Sequence, residues 1–262
     1  MVTSSTGTIF DSLLWGFVAS LPLIAGAVLA SFVNLKKSVI GSIMAFGAGV
    51  LIAALTFSLI EEAYNLVNDL VPVVLGFTLG GISYSIANYI LNKKRIGTKN
   101  RKRSHGENAG GGKDASGIAL MVGSLMDNIP ENMALGISIV AGGGIVNIVL
   151  IAAIFISNFP EGLASSQGMK SNGKSTKRIL LLWAVVVAIG TVSSAIGFSI
   201  LANVNNKDIV SIALSYASGA ILVMLAESMI PEAFEEGGES KIGLATMAGF
   251  AVAFVLGRLG GG

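Results

Sequence analysis

The sequence predicts an all-α membrane protein with eight transmembrane helices in an inverted-repeat, 3+2+3 arrangement. Hydrophobic residues make up 53% and charged residues 12% of the 262 residues, whereas soluble domains carry about 25% charged residues. Apolar stretches near the bilayer-spanning length of about 20 residues follow one another along the chain. Two pairs of these stretches also share sequence patterns. We therefore expect one polytopic domain over residues 1–262, embedded in the lipid bilayer, with no nucleic acid partner.

Eight apolar stretches account for the predicted spans. They cover residues 9–33, 38–60, 70–91, 116–140, 145–168, 178–203, 209–231 and 241–259. Residues 1–8 lack the positively charged start of a signal peptide, so the first stretch is kept as a span. The segment 93–115 is rich in Lys and Arg and then in Gly. Its composition predicts a flexible cytoplasmic loop between the third and fourth spans.

Basic residues are distributed unevenly over the connections between spans. With residues 1–8 outside, fifteen lysines and arginines fall on the inside and two, Lys207 and Arg258, on the outside. The positive-inside rule then predicts a multi-pass protein of the cell membrane with both termini extracytoplasmic. An odd number of spans would break this alternation, so the asymmetry also favours an even number.

Two kinds of chemistry are excluded by composition. The chain has no Cys, so it can form neither disulfides nor thiolate metal sites. His105 is the only histidine and lies in the basic loop, which excludes a His-Glu-x-x-His metalloprotease and disfavours a serine–histidine dyad. We expect the protein not to be an enzyme and to hold no tightly bound cofactor.

Two near-copies of one polar motif lie inside apolar stretches. Asp127-Asn-Ile-Pro-Glu131 is in the fourth span, and Ser157-Asn-Phe-Pro-Glu161 follows 30 residues later in the fifth. A charged side chain in the lipid interior costs several kcal/mol unless it faces a partner, a cavity or an ion. At a rise of about 1.5 Å per residue, both glutamates fall near the middle of the bilayer. Neither span carries Lys or Arg at that depth, so a metal ion or bound protons must compensate the acids.

The spacing predicts one shared cation site. Asp127 and Glu131 share a helix face, as do Asn158 and Glu161, and each motif proline leaves a backbone carbonyl without its helical donor. Carboxylate, amide and carbonyl oxygens together suit a desolvated cation. The predicted metal ligands are Asp127, Asn128, Glu131, Ser157, Asn158 and Glu161, with Glu227 as an accessory ligand or gate.

Several polar residues have alternative interpretations that the sequence leaves open. Asn128 and Asn158 could simply join helices. Gly76 and Gly80 indicate close helix packing within the bundle more than a dimer contact. Other acids cluster at the predicted ends of spans two and seven. They form either acidic entrances to a transport path, which attract cations, or ordinary solvated loop ends. These acids are Glu61, Glu62, Asp69, Glu232, Glu235, Glu236 and Glu239.

A second internal similarity links span two to span seven. Five residues recur at a constant offset of 170: Gly49, Ser58, Ile60, Glu62 and Ala63 match Gly219, Ser228, Ile230, Glu232 and Ala233. Because the two spans cross the membrane in opposite directions, spans one to three and six to eight are predicted to be inverted repeats around a central pair. Such repeats, with a site near the midplane, are typical of secondary transporters.

The two motifs resemble the His-Asn-x-Pro-Glu-Gly motifs of the Zrt/Irt-like (ZIP) metal transporter family. Residues 49–58 and 219–231 are similar to the Gly-rich helices that flank those motifs. The resemblance covers the whole chain and implies that Asn128, Glu131, Asn158 and Glu161 bind a divalent metal ion that is transported by alternating access. It also implies a homodimer, in which spans one, four, five and six slide against a scaffold of spans two, three, seven and eight.

Three positions depart from the family pattern. Asp127 stands where histidine is usual, Ser157 where a histidine or an acid often occurs, and Asn132 where glycine is usual. Without imidazole the predicted site offers oxygen ligands, which favour harder ions such as Mn²⁺ or Mg²⁺ over Zn²⁺, the default substrate of the family. Fe²⁺ is intermediate in this preference. Span six carries no acid, which argues against a two-metal centre. The alternative function is a proton-coupled carrier of a small organic solute.

Overall fold

Eight helices follow one another in the part of the chain that the computed structural model describes. This part comprises residues 7–93 and 113–260, without the side chains of residues 113–121, 239, 240 and 260. Its helices are α1 (Ile9–Phe32), α2 (Lys37–Val67), α3 (Leu70–Lys93), α4 (Lys113–Ala141), α5 (Ile148–Ser171), α6 (Thr176–Leu201), α7 (Lys207–Gly237) and α8 (Glu239–Gly260). No strand occurs in these residues, and the predicted all-α class is confirmed.

Seven of these helices are long and apolar enough to cross a membrane. The seven are all but α4, whose described side chains begin only at residue 122. The predicted fourth span over 116–140 falls within α4, but the count of eight spans and their inverted arrangement stay predictions. Of the predicted loop over 93–115, residues 94–112 lie outside the described residues, and α4 already begins at Lys113.

Polar side chains determine where four of the helices begin. The Thr8 side chain accepts a hydrogen bond from the backbone of Asp11, whose carboxylate accepts from the backbone of Thr8, so α1 starts with a capping box. Asn147, Ser175 and Asn206 cap α5, α6 and α7 respectively. In each case a side-chain oxygen accepts a hydrogen bond from a backbone N–H of the first turn. Because the first backbone N–H groups of a helix have no helical acceptor, such residues define its start.

The helices pack in two groups. In the first group α1 packs against α5 and α6, and α4 packs against α6. In the second group α3 packs against α7, and α2 packs against α7 and α8. The groups meet mainly where α2 contacts α5 and α4 contacts α7. The first group therefore holds α1, α4, α5 and α6, and the second holds α2, α3, α7 and α8.

Glycines allow the helices of the second group to approach closely. A Cβ at Gly49 of α2 would overlap the carbonyl oxygen of Thr246 on α8, and a Cβ at Gly219 of α7 would overlap that of Phe77 on α3. Gly76 and Gly80 of α3 are likewise in contact with the α7 backbone. The interpretation of this last pair as a packing contact within the chain is confirmed.

Both α2 and α7 contain a π-helical turn at the same place in the repeated sequence pattern. The turns span Leu55–Ile60 and Leu225–Met229, and their first residues are separated by the same offset of 170. Such turns in α-helices occur often at functional sites. The helices α4 and α5 instead continue as regular α-helix through Pro130 and Pro160.

Candidate metal centre

A small internal cavity lies between α2, α4, α5 and α7. Its volume is about 10 Å³, close to the space that one water molecule needs. Four of the eight residues that line it are acids, and none is basic. The lining residues are Met44, Asp127, Glu131, Ser157, Glu161, Met224, Met229 and Glu232.

Helical periodicity explains how α4 and α5 face this cavity. Asp127 and Glu131 are four residues apart on α4, and Ser157 and Glu161 are four apart on α5, so each pair projects from one face. All four side chains are buried, with exposed fractions of 6%, 2%, 2% and 8% respectively. The structure thus brings together four of the six residues that the motifs predict to be metal ligands.

Asp127 is held in place by two hydroxyl groups. Tyr84 on α3 donates to its Oδ1 at 3.0 Å, and Ser228 on α7 donates to its Oδ2 at 3.2 Å. Tyr84 and Ser228 are both buried. The carboxylate where the family motif usually has histidine therefore has hydrogen-bonding partners from two other helices.

Glu131 lies close to two other acids of the cavity. Its side chain lies within electrostatic range of Glu161 and Asp127. Its Oε2 atom is buried and accepts no hydrogen bond from the described residues. A buried oxygen without a partner costs free energy, and a bound cation would remove that cost. The donor set therefore fits a positively charged ligand.

The sequence predicted a site with oxygen ligands alone, but sulfur atoms also line the cavity. Met44, Met224 and Met229 contribute thioether groups to its wall, and sulfur is a softer ligand than carboxylate oxygen. Among the described residues, no three His, Asp or Glu side chains are placed to hold one metal ion together. The acids would therefore have to move closer to one another to chelate an ion.

Glu232 belongs to the cavity, although sequence reasoning placed it beyond the end of span seven. The helix α7 continues to Gly237, and Glu232 is only 6% exposed. The interpretation of Glu232 as a solvated loop end is therefore wrong, and a function in attracting cations stays a prediction. A signal for it was present: three of the five prolines in the chain are followed by Glu, at Glu131, Glu161 and Glu232.

The motif asparagines are directed away from the cavity and toward α1. Asn128 Oδ1 accepts from Ser20 Oγ at 3.1 Å and also from the side chain of Asn132. Asn158 Nδ2 donates to the backbone oxygen of Ala19 at 2.9 Å. Neither asparagine lines the cavity. These bonds join α4 and α5 to α1, and a role for the two amides as metal ligands stays a prediction.

Glu227 also lies outside the cavity wall. Its two carboxylate oxygens accept from Ser85 Oγ at 2.8 Å and from Asn88 Nδ2 at 2.6 Å. Both donors are on α3, so the interaction joins α3 to α7 within the second group. The predicted function of Glu227 as an accessory ligand or gate stays a prediction.

A larger cavity of about 650 Å³ lies at the other end of α2. The connection between α4 and α5 and the end of α8 complete its wall. Glu61 and Glu62 line it together with Arg258, whose guanidinium lies 5.7 Å from the centre of the Phe57 ring. The predicted topology places this cavity at the outer face of the membrane.

Two curated proteins are similar to most of the chain. A protein of Arabidopsis thaliana named "Putative zinc transporter At3g08650" is 26% identical over 220 residues, which are 83% of this chain and 33% of the relative. "Zinc transporter GufA" of Myxococcus xanthus is 27% identical over 212 residues, 77% of this chain and 79% of the relative. No protein-family model matches the chain.

The aligned region spans about a third of the length of the plant relative. Both relatives are named as transporters and not as enzymes, in agreement with the expectation that the chain is not an enzyme. The resemblance to metal transporters that the two motifs indicate is confirmed by these similarities.

Proposed function

We propose that the chain transports divalent metal cations across a membrane through the cavity between α4 and α5. The observation that carries this proposal is the convergence of four buried acids, Asp127, Glu131, Glu161 and Glu232, on a wall that contains no basic residue. Zinc is the substrate that the names of both relatives suggest. Manganese and iron are further substrates because the wall has carboxylates in place of imidazole.

Charge balance supports a cation as the ligand of this cavity. Several carboxylates in a small volume of low dielectric repel one another strongly. A divalent ion compensates two negative charges at once, and the hydroxyls of Tyr84 and Ser228 compensate part of a third at Asp127. Glu131, Glu161 and Glu232 would hold the ion with Asp127. The predicted ligands Asn128 and Asn158 would have to leave their bonds to α1 to join them.

The packing of the helices supports alternating access. The first and second groups meet mainly through the contacts α2–α5 and α4–α7. One group can therefore move against the other without disrupting its own interior. The cavity lies at this boundary, since α4 and α5 belong to the first group and Met44 and Glu232 to the second. Movement of one group against the other would open the cavity to one side of the membrane at a time.

Equivalent contacts in α2 and α7 support the inverted repeat. The glycines of the repeated pattern, Gly49 and Gly219, pack against α8 and α3 respectively. These are corresponding helices if spans one to three repeat as spans six to eight. The two π-helical turns correspond in the same way.

The proposal also includes extracytoplasmic termini and a homodimer formed through the second group.

The size of the cavity favours an ion over the alternative, an organic solute. Sites for small organic molecules usually have volumes of about 300–1,000 Å³. The acid-lined cavity has about 10 Å³, which admits a partly dehydrated ion.

Uptake into proteoliposomes tests the proposal. The purified full-length chain should transport Zn²⁺, Mn²⁺ and Fe²⁺ at rates above those of protein-free vesicles. Rates for the three ions within about tenfold of one another would agree with a mixed carboxylate and thioether site. Absence of divalent-cation uptake in vesicles with correctly folded protein would contradict the proposal. Strong selectivity for zinc over manganese would contradict only the broad preference.

A further inference from the structure

The two hydroxyl donors to Asp127 belong to the opposite group of helices. Asp127 is on α4 in the first group, whereas Tyr84 and Ser228 are on α3 and α7 in the second. Tyr84 is 5% and Ser228 1% exposed, so these hydrogen bonds lie in a low dielectric, where their strength is greatest. Together the two donors fix both oxygens of the Asp127 carboxylate.

Several hydrogen bonds in the described part of the chain instead join helices of the same group. The Ser83 and Tyr216 hydroxyls, 2.6 Å apart, join α3 to α7. Trp183 Nε1 donates to Ser166 Oγ at 2.7 Å and joins α6 to α5. A displacement of one group against the other would leave such bonds intact. It would separate Tyr84 and Ser228 from Asp127, so the orientation of that carboxylate depends on the relative position of the groups.

We propose that Tyr84 and Ser228 are positioning residues that orient Asp127 toward a divalent cation. The affinity of the cavity for the cation is then highest in the arrangement in which both hydroxyls face Asp127. It falls when the groups move apart, which favours release of the ion. This inference rests on the proposed function. Loss of an outer-shell hydrogen bond to a metal ligand typically weakens metal binding by about 10–100-fold.

Calorimetry with Mn²⁺ and Zn²⁺ on the purified full-length chain tests the inference. Tyr84→Phe and Ser228→Ala should each weaken binding by about tenfold or more. Ser228→Thr keeps the hydroxyl and should bind nearly as the wild type does. Tyr216→Phe is the matched control, because it removes a phenolic hydroxyl whose partner, Ser83, lies in the same group. Its affinity should be unchanged.

A double-mutant cycle separates positioning from a general structural effect. If Tyr84 acts through Asp127, then Tyr84→Phe should weaken binding much less in an Asp127→Ala background than in the wild type. In proteoliposomes, Tyr84→Phe should raise the half-saturating cation concentration more than it lowers the maximal rate. An equal loss of affinity in both backgrounds would overturn the inference.

The outcomes distinguish this inference from the proposed function. If the wild type binds neither Mn²⁺ nor Zn²⁺, both proposals fail. If the wild type binds a cation and the folded Tyr84→Phe and Ser228→Ala variants bind it equally well, only the positioning function is wrong.

Discussion

Glu62 and Glu232 occupy equivalent positions in the repeated pattern of α2 and α7 but face different cavities. They are separated by the same offset of 170 as the two π-helical turns that precede them. Glu232 is buried in the small acidic cavity, whereas Glu62 is half-buried in the larger cavity at the opposite end of α2. The same sequence element thus contributes an acid to each of two cavities, as expected if α2 and α7 correspond in an inverted repeat.

Loss of either motif glutamate should abolish transport. Glu131→Ala and Glu161→Ala each remove a carboxylate from the cavity wall, so cation uptake in proteoliposomes should fall to the level of protein-free vesicles. Both variants should insert into the membrane normally. Glu235→Ala is the control, because Glu235 is an exposed acid near the end of α7. Wild-type uptake by either cavity variant would show that the site is assigned incorrectly.

Glu131→Gln should not destabilise the protein in the absence of metal. A buried carboxylate beside Glu161 and Asp127 is costly without a positive partner, and glutamine removes the charge of Glu131 with little change in volume. We expect a thermal unfolding temperature in detergent equal to or above that of the wild type, measured with a chelator present. Added Zn²⁺ or Mn²⁺ should raise this temperature for the wild type and not for the variant. A strongly lowered temperature in chelator would indicate that Glu131 has a structural function instead.

Glu232→Gln should weaken cation uptake more than Glu62→Gln does. The two substitutions make the same chemical change at equivalent positions, but only Glu232 lines the acidic cavity. We expect the half-saturating cation concentration to rise by about tenfold for Glu232→Gln, by analogy with the loss of other groups that support a metal site. A smaller change is expected for Glu62→Gln. Equal effects in transport assays would argue against Glu232 as a ligand.

Gly49→Ala and Gly219→Ala should destabilise the second group. An added Cβ would overlap the backbone of α8 or α3, and such overpacking typically costs about 1–3 kcal/mol. Gly243→Ala on α8 is the matched control, because a Cβ there meets no atom within 4 Å. In a helix this change should be neutral or slightly stabilising. Thermal unfolding of the three variants in detergent measures the difference, and equal behaviour of all three would contradict the packing argument.

The predicted topology can be tested on the natural chain, which contains no cysteine. Asn205→Cys lies in the exposed connection between α6 and α7, which is predicted to be outside. It should react with a membrane-impermeant maleimide in intact cells. Ser175→Cys, in the exposed connection between α5 and α6, is predicted to be inside and should react only after lysis. The reverse labelling pattern would invert the predicted orientation.

Residues that are costly in an apolar segment were predictable from the sequence. Asp127, Glu131 and Glu161 stand out because charge is rare in spans, and the structure brings all three to one cavity. The functions of Asn128 and Asn158 were less predictable. Both fit the motif, but their amides bond to Ser20 and Ala19 of α1. Sequence spacing defines the face of a helix on which a residue lies, and it does not identify the helix that the face contacts.

The sequence by itself determined the all-helical class, most of the spans and the acids that require a positive partner, because hydropathy and the cost of buried charge are local properties. Tertiary structure alone decided that Glu232 joins those acids and that Tyr84 and Ser228 hold Asp127. These relationships depend on the rotation and longitudinal position of α3, α4 and α7 relative to one another. Close packing between helices far apart in the chain determines both. The Pro-Glu pairs mark Glu232 in the sequence, but no short pattern records which helices meet at the cavity.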